Sequence, residues 1–364
     1  MKTSKFSVIK SLILGAFFLF TIQPSFAASK GSEKGSESEE PFDTNEMIFH
    51  HITDSHGFHV AGHFSVPLPV ILWTDNGLVT FMSSEFHHDI DGKEIVEKNG
   101  MKFVNLHEKI YQLDAGATSV EFDAEHHPLN ATKPLDFSIT KNVFSMLLSL
   151  LVLVLIFTAA ARGYKKSENN MPRGIGRFVE PIIVFIRDEV AIPNIGEKHY
   201  KRYMPFLLTL FFFIWLNNIF GLIPFFPFSA NLSGNIAFTM TLAVITFIIT
   251  LFSSKGYYWR HMLWMPGLPI PMKIFLAPIE FMGMFIKPIA LMIRLFANIT
   301  AGHVIVLSLT ALIFVLGTIW VAPVSVLFTV FISVIEVLVV AIQAYIFTML
   351  SALYFGQALE EDHH

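Results

Sequence analysis

Residues 272–315 and 318–357 form two consecutive apolar stretches of about forty residues each. A helix rises about 1.5 Å per residue, so each would run about 60 Å, against roughly 30 Å of hydrocarbon in a bilayer. Such a helix must tilt steeply, break in two or leave the membrane. Pro288 can kink the first stretch. Between Ile289 and Ile313, however, there is no proline and no turn sequence, only Gly302. The expectation is therefore a long, steeply tilted helical hairpin. Ordinary spans tilt by about 20°, so an extreme tilt calls for a reason, such as wrapping a large round partner.

Three shorter apolar runs precede the hairpin, at Val143–Ala161, Met204–Phe228 and Ile236–Phe252. Together they predict an all-α polytopic membrane protein with five spanning segments. With hydrophobic residues at 53% and charged residues at 15%, lipid rather than water is the solvent for this part. No dense Lys/Arg stripe is present, which argues against nucleic-acid binding. Phe178–Val190 is apolar only over Ile182–Ile186, too short to cross, and reads as an interfacial or re-entrant helix.

Orientation follows from the cations. Lys165, Lys166, Arg173, Arg177, Arg187, Lys198, Lys201 and Arg202 crowd the segment after the first span, and Lys255 and Arg260 follow the third. The 224–235 loop has none. This places 163–202, 254–271 and the C-terminal tail in the cytoplasm of a bacterial cell inner membrane, with the N-terminal region periplasmic. Lys2, Lys5 and Lys10, the apolar Ser11–Ile22 and Ser25-Phe26-Ala27 form a signal peptide over 1–27, either cleaved or kept as an anchor. Residues 28–41 are a Gly/Ser/Lys/Glu linker.

Residues 42–139 are expected to form a small β-rich extracytoplasmic subdomain, ahead of a membrane helical domain at 140–359 and a tail at 360–364. Phe58–Phe64 and Gly77–Phe81 alternate, and Asn99-Gly100 between Glu94–Glu97 and Met101–Val104 marks a type I′ hairpin. With no cysteine, this region folds without disulfides.

Ionisable residues inside lipid are costly and point to function by default. The fourth stretch carries Glu280, Lys287, Arg294 and His303; the fifth carries Glu336 and Gln343. Glu280, Lys287 and Arg294 recur every seven residues and share one stripe, as do Glu336 and Gln343. Arg294 and His303 are nine residues apart, about 900° of rotation, and so face opposite ways about 13.5 Å apart along the axis. Arginine is a fixed positive charge. Histidine and glutamate can load and release protons. Together they suit a proton path with a barrier. The alternative reading is structural: an ion-paired arginine, Glu280 paired to Lys287, and a hydrogen-bonded core histidine.

The run Ile279-Glu280-Phe281, Lys287-Pro288 and Arg294-Leu295-Phe296-Ala297-Asn298-Ile299-Thr300-Ala301-Gly302-His303 resembles the signature helix of subunit a of the rotary F-type ATP synthase. Ile335-Glu336 with Ala341–Phe347 resembles that family's C-terminal pattern, and Asn218–Pro224 its motif after the second span. The resemblance covers roughly residues 140–357. It implies a proton-translocating stator subunit with two half-channels against a rotor c-ring, assembled with peripheral-stalk subunit b and other ATP synthase subunits. In that reading Arg294 blocks leakage and assists deprotonation of the ring carboxylate. Asn298 and Gln343 match polar positions near it, and His303 and Glu336 match the pair lining the inlet half-channel. In some bacterial relatives the acid and the histidine are exchanged; here their order resembles the mitochondrial one. Asn218, Glu280 and Lys287 are secondary polar candidates. The chain would bind no nucleotide or cofactor itself, since Arg173-Gly174-Ile175-Gly176 lacks the lysine and setting of a phosphate loop.

The N-terminal region has no counterpart in many relatives. It holds His50, His51, His56, His59, His63, His87, His88, His107, His126 and His127. Two readings stand: a metal site or proton-collecting surface, or a solvated stabilising or subunit-contact domain. His56, His59 and His63 lie in a strand pattern, which disfavours a helical metal triad, so no metal is expected. An ion-coupled secondary transporter is the rival function, but no internal repeat is visible.

Overall fold

The computed structural model describes residues 53–61, 64–123, 128–165, 174–223, 225–264, 269–316 and 320–360. The expected signal peptide and linker lie outside these residues, as do His50, His51, His63, His126, His127 and residues 361–364 of the tail.

The N-terminal part is built of short antiparallel strands. β1 (Gly57–Ala61) pairs with β2 (Phe64–Pro67). β3 (Pro69–Thr74) is flanked by β4 (Gly77–Met82) and, across the chain, by β9 (Leu135–Asp136). β5 (Val96–Lys98), β6 (Met101–Leu106), β7 (Lys109–Leu113) and β8 (Ala131–Thr132) follow in that order in a third sheet. Alternation does the sorting: Val70 and Leu72 of β3 and Val79 and Phe81 of β4 turn inward, while Leu78, Thr80 and Met82 turn out. With Phe86, Phe103 and Ile110 they form one apolar core. Each such side chain contributes about 1.5–3 kcal/mol by leaving water. Lys98 pairs with Met101 across Asn99-Gly100, whose φ values of 53° and 74° are those of the expected type I′ turn.

Among the described residues, five helices are long and apolar enough to cross a membrane. They are α1 (Lys141–Lys165), α4 (Tyr200–Leu222), α5 (Ile236–Ser253), α7 (Ile270–Leu316) and α8 (Ala322–Leu359). Between α1 and α4 a helical run comprises α2 (Gly176–Phe185), a π-turn (Ile186–Ala191) and α3 (Ile192–Ile195). It is longer than the Phe178–Val190 segment expected from sequence. The short α6 (Gly256–Leu263) precedes α7.

The second span ends at Leu222, not at Phe228 as its apolarity suggested. Ile223 precedes Pro224, and a residue before proline is pushed out of the helical region. Its φ of −87° and ψ of 113° are extended, and Phe228 N–H then donates to Phe225 O in a turn. Apolar content alone could not separate the helix from this apolar loop.

α7 is continuous over 47 residues, running through Pro278 and Pro288. α8 continues for 38. The two pack against one another, and α8 also packs on α4. Lipid supplies no hydrophobic drive between helices, so close approach has to come from small side chains. The buried side of α8 provides them in Ala344, Ser351, Ala352 and Ala358. Gly356 is the tightest point: a Cβ there would lie 1.8 Å from Asn194 O of α3. Large groups fill between these contacts, as where the Tyr203 and Phe355 rings stack with centroids 5.0 Å apart.

The strand region is tied to α1 at its first residues. Lys141 N–H donates to Ser55 O (2.8 Å), and Asn142 N–H donates to Asp54 Oδ1 (3.0 Å). Phe58 of β1 packs edge-on against Phe144 of α1 and Phe226 of the loop after α4, at 5.4 and 5.3 Å.

Buried His56 lies between two carboxylates, 3.6 Å from Glu108 and 3.7 Å from Asp136. These are ion pairs rather than hydrogen bonds. Burial opposes the charge on His56, but Asp136 and Glu108 outweigh it and raise its pKa from 6.5 to about 9. Burial would likewise raise Asp136, but the neighbouring His56 cation and hydrogen bonding from Ser138 bring it from 3.8 down to about 2. The raised histidine therefore stabilises fully below pH 6.5 and loses its contribution as pH rises through about 9. The lowered aspartate stabilises above 3.8 and loses its contribution as pH falls through about 2. Hydrogen-exchange protection of residues 57–113 in the full chain, corrected for intrinsic rates, should be lower at pH 9.5 than at pH 6, with His56→Leu abolishing the difference. Equal protection at both pH values in the unsubstituted chain would contradict this.

Candidate functional site within the membrane helices

α7 turns a row of residues four apart, Leu291, Leu295 and Ile299, into the bundle core, and His303 continues that row. α8 answers with Glu336, Val340, Gln343 and Ala344, all buried. Where the two rows meet, His303 Nε2 lies 3.9 Å from Glu336 Oε1. That is beyond a direct hydrogen bond but within the reach of one bridging water. Glu336 Oε1 is buried and accepts no hydrogen bond from the described residues. Gln343 follows Glu336 on the same face, about 10.5 Å further along α8.

Gly302 makes the juxtaposition possible. A Cβ at residue 302 would lie 2.7 Å from Glu336 Oε1 and 3.0 Å from its carboxyl carbon. Glu336 therefore occupies the space that a side chain at 302 would take. Sequence reading noted Gly302 only as a weak interruption of an apolar helix. The usable signal was a glycine directly beside a histidine inside a span, where closely approaching helices favour small residues. Ser325 was missed altogether; its buried hydroxyl donates to Leu309 O and pins the start of α8 to the end of α7.

Arg294 is placed differently. It is exposed and makes no hydrogen bond or ion pair among the described residues. Its neighbours on that side of α7 are Ala290, Ala297, Asn298 and Ala301, all exposed. The result is a cation and an amide set in a surface of small side chains, turned away from the His303–Glu336 pair as the nine-residue offset implied.

The remaining candidates fall elsewhere. Asn218 is buried on α4, with Nδ2 unpaired among the described residues. Glu280 is exposed, and its charge reaches Tyr258 of α6. Lys287 does not pair with Glu280. It donates to Gln357 Oε1 of α8 (2.9 Å) and stands over the Tyr354 ring at 5.8 Å. These groups border a narrow recess shared with Thr246 and Thr250 of α5. No group of three His, Cys, Asp or Glu side chains suited to a metal occurs among the described residues.

Fold and site together define a polytopic helical membrane protein with an imidazole and a carboxyl facing each other inside its two longest spans. Residues 143–356 match the family described as ATP synthase A chain, and the chain belongs to that family. Residues 47–137 match a separate domain of unknown function. The chain is 44% identical over 255 residues to ATP synthase subunit a of Chloroherpeton thalassium, covering 67% of this chain and 75% of the relative. It is 45% identical over 255 residues to ATP synthase subunit a 2 of Chlorobaculum tepidum, covering 68% and 70%. It is 41% identical over 259 residues to ATP synthase subunit a of an Anaeromyxobacter species, covering 67% and 62%.

Gly302→Ala should displace the Glu336 carboxyl while leaving the rest of the α7–α8 seam intact. Labelling of residue 336 as cysteine by a small thiol reagent should change rate when the alanine is added, with assembly unaltered. An unchanged rate would show that residue 302 does not hold position 336.

Proposed function

We propose that this chain is the proton-translocating stator subunit of an ATP synthase. It works against a rotor c-ring with peripheral-stalk subunit b, and has its N-terminal region on the periplasmic side and its C-terminus in the cytoplasm. The observation that carries the reading is the division of charge on α7. His303 turns inward to Glu336, while Arg294 and Asn298 sit in an exposed patch of alanines. Small side chains let a partner helix approach closely, which suits a ring carboxylate passing Arg294. In this reading, protons enter along His303 and Glu336, with Gln343 beside the path, and load the ring. They leave from a second half-channel on the other side of Arg294, whose permanent charge separates the two and favours the deprotonated ring carboxylate. Nucleotide chemistry belongs to other subunits.

The cation distribution supports the orientation, and the unbroken lengths of α7 and α8 support a tilted surface against a large partner. In reconstituted, correctly assembled complexes, Arg294→Ala should abolish proton-driven ATP synthesis and coupled proton flux. Glu336→Ala should reduce synthesis roughly 10²-fold or more, as loss of a proton-transfer group does. Gln343→Ala should reduce it less than Glu336→Ala. Normal synthesis with Glu336→Ala, or intact coupling with Arg294→Ala, would refute the assignment. Transport by the chain alone, without a ring, would favour a secondary transporter.

A further inference from the structure

The strand region leaves the outer face of its β4–β3–β9 sheet bare. An antiparallel sheet that faces water alternates apolar and polar residues, whereas a strand buried on both sides reads as a continuous apolar run. β3, with Pro69, Val70, Ile71, Leu72 and Trp73 in succession, is such a run, yet only Val70 and Leu72 of it enter the apolar core. Its other side lines up with β4 and with residues 135–139 in three rows. Leu78, Trp73 and Leu135 are cross-strand partners in the first. Thr80, Ile71 and Phe137 make the second, where Phe137 N–H donates to Ile71 O (2.8 Å). Met82, Pro69 and Ile139 make the third, where Ile139 N–H donates to Pro69 O (3.0 Å). All but Thr80 are apolar and none is charged. Trp73, Leu78, Leu135 and Phe137 are 55, 55, 65 and 63% exposed. Single exposed apolar residues are ordinary, but a contiguous apolar patch marks an interaction surface.

The other sheet is treated differently: Val104, Leu106 and Leu113 of β6 and β7 are packed by Ala117, Val120 and Ala131 of the chain itself. The bare face instead ends at the membrane. Ile139 lies two residues before Lys141, where α1 begins, and α1 turns Leu147, Leu150, Leu151 and Val154 outward. The bonds from Lys141 to Ser55 and from Asn142 to Asp54 hold the strand region against that end of α1. From Pro69 to Trp73 the face extends about 13 Å, at about 3.3 Å per residue. A sheet standing upright on the membrane would need only its Ile139 row to be apolar. Apolarity that continues to the Trp73 row is what a sheet lying against the bilayer requires. Polar residues resume just past that row, with Asp75 and Asn76 in the β3–β4 turn and Lys133 before β9.

We propose that this face is a lipid-binding surface: the β4–β3–β9 sheet lies on the leaflet at which α1 begins, with Leu78, Trp73, Leu135 and Phe137 set into its headgroup boundary. Tryptophan suits that level, because its ring is apolar and its N–H can still reach water. The strand region is then a membrane-surface module, held by α1 at one end and by its own apolar face along the sheet. The proposal needs only that α1 spans the membrane, and it is independent of the proton path.

The chain contains no cysteine, so single cysteines can each carry a nitroxide label. Leu78→Cys, Leu135→Cys and Phe137→Cys place it on the face, and Glu97→Cys places it on exposed β5 of the other sheet. All four side chains lie outside the core, so these substitutions leave the fold intact. The measurement is the collision rate of each label with oxygen, which partitions into lipid, and with a water-soluble nickel chelate, in the assembled complex reconstituted into liposomes. Labels at 78, 135 and 137 should favour oxygen over the chelate several times more strongly than the label at 97. The same ratio at all four positions would put the face in water and overturn the proposal. Few collisions with either reagent at 78, 135 and 137 would show the face covered by protein, which overturns it equally.

Discussion

The seam between α7 and α8 is the contact on which the other features depend. Helices of 47 and 38 residues exceed the thickness of a bilayer when upright, and they lie against each other along faces that differ in character. α7 brings a row of large aliphatic residues ending in His303, and α8 brings small residues punctuated by Glu336, Gln343 and Phe347. The seam excludes lipid from an imidazole and a carboxyl that lipid would penalise. It also requires one position, Gly302, to lack a side chain. The opposite consequence of the same geometry is that Arg294, nine residues before His303, turns to the outside of the pair.

The helical part was legible because lipid imposes simple rules. Apolar length gave the spans, and heptad spacing placed Glu336 and Gln343 on one face. The 900° offset alone puts Arg294 and His303 on different sides of the helix. What stayed hidden is what apolarity does not encode. The end of α4 was set by the residue before Pro224 rather than by loss of hydrophobicity. The partner of Lys287 proved to be Gln357, seventy residues away, rather than Glu280 within its own stripe. The role of Gly302 depends on an approach between helices that no single helix reveals.

The N-terminal region was read less completely for a different reason. Alternation and Asn99-Gly100 disclosed strands and a hairpin, because both are local. The pairing of β3 with β9 joins residues 72–73 to 135–136, and the placing of His56 between Glu108 and Asp136 is equally remote in sequence. The count of histidines invited a metal site. Among the described residues, His56 is the cation of a buried ion-pair cluster with Glu108 and Asp136. Charge in this chain thus falls into separate groups: the His56 cluster of the strand region, the His303–Glu336 pair between α7 and α8, and Arg294 on an exposed face of α7.

The account stands or falls on whether His303 and Glu336 act as one unit in moving protons. The direct measurement is a double-mutant cycle, comparing proton-driven ATP synthesis by assembled complexes carrying His303→Ala, Glu336→Ala and both. Groups that act as a unit are strongly non-additive. The double variant should therefore be no slower than the slower single variant. If the two losses instead multiply, the residues act independently and the proposed path through their contact is wrong.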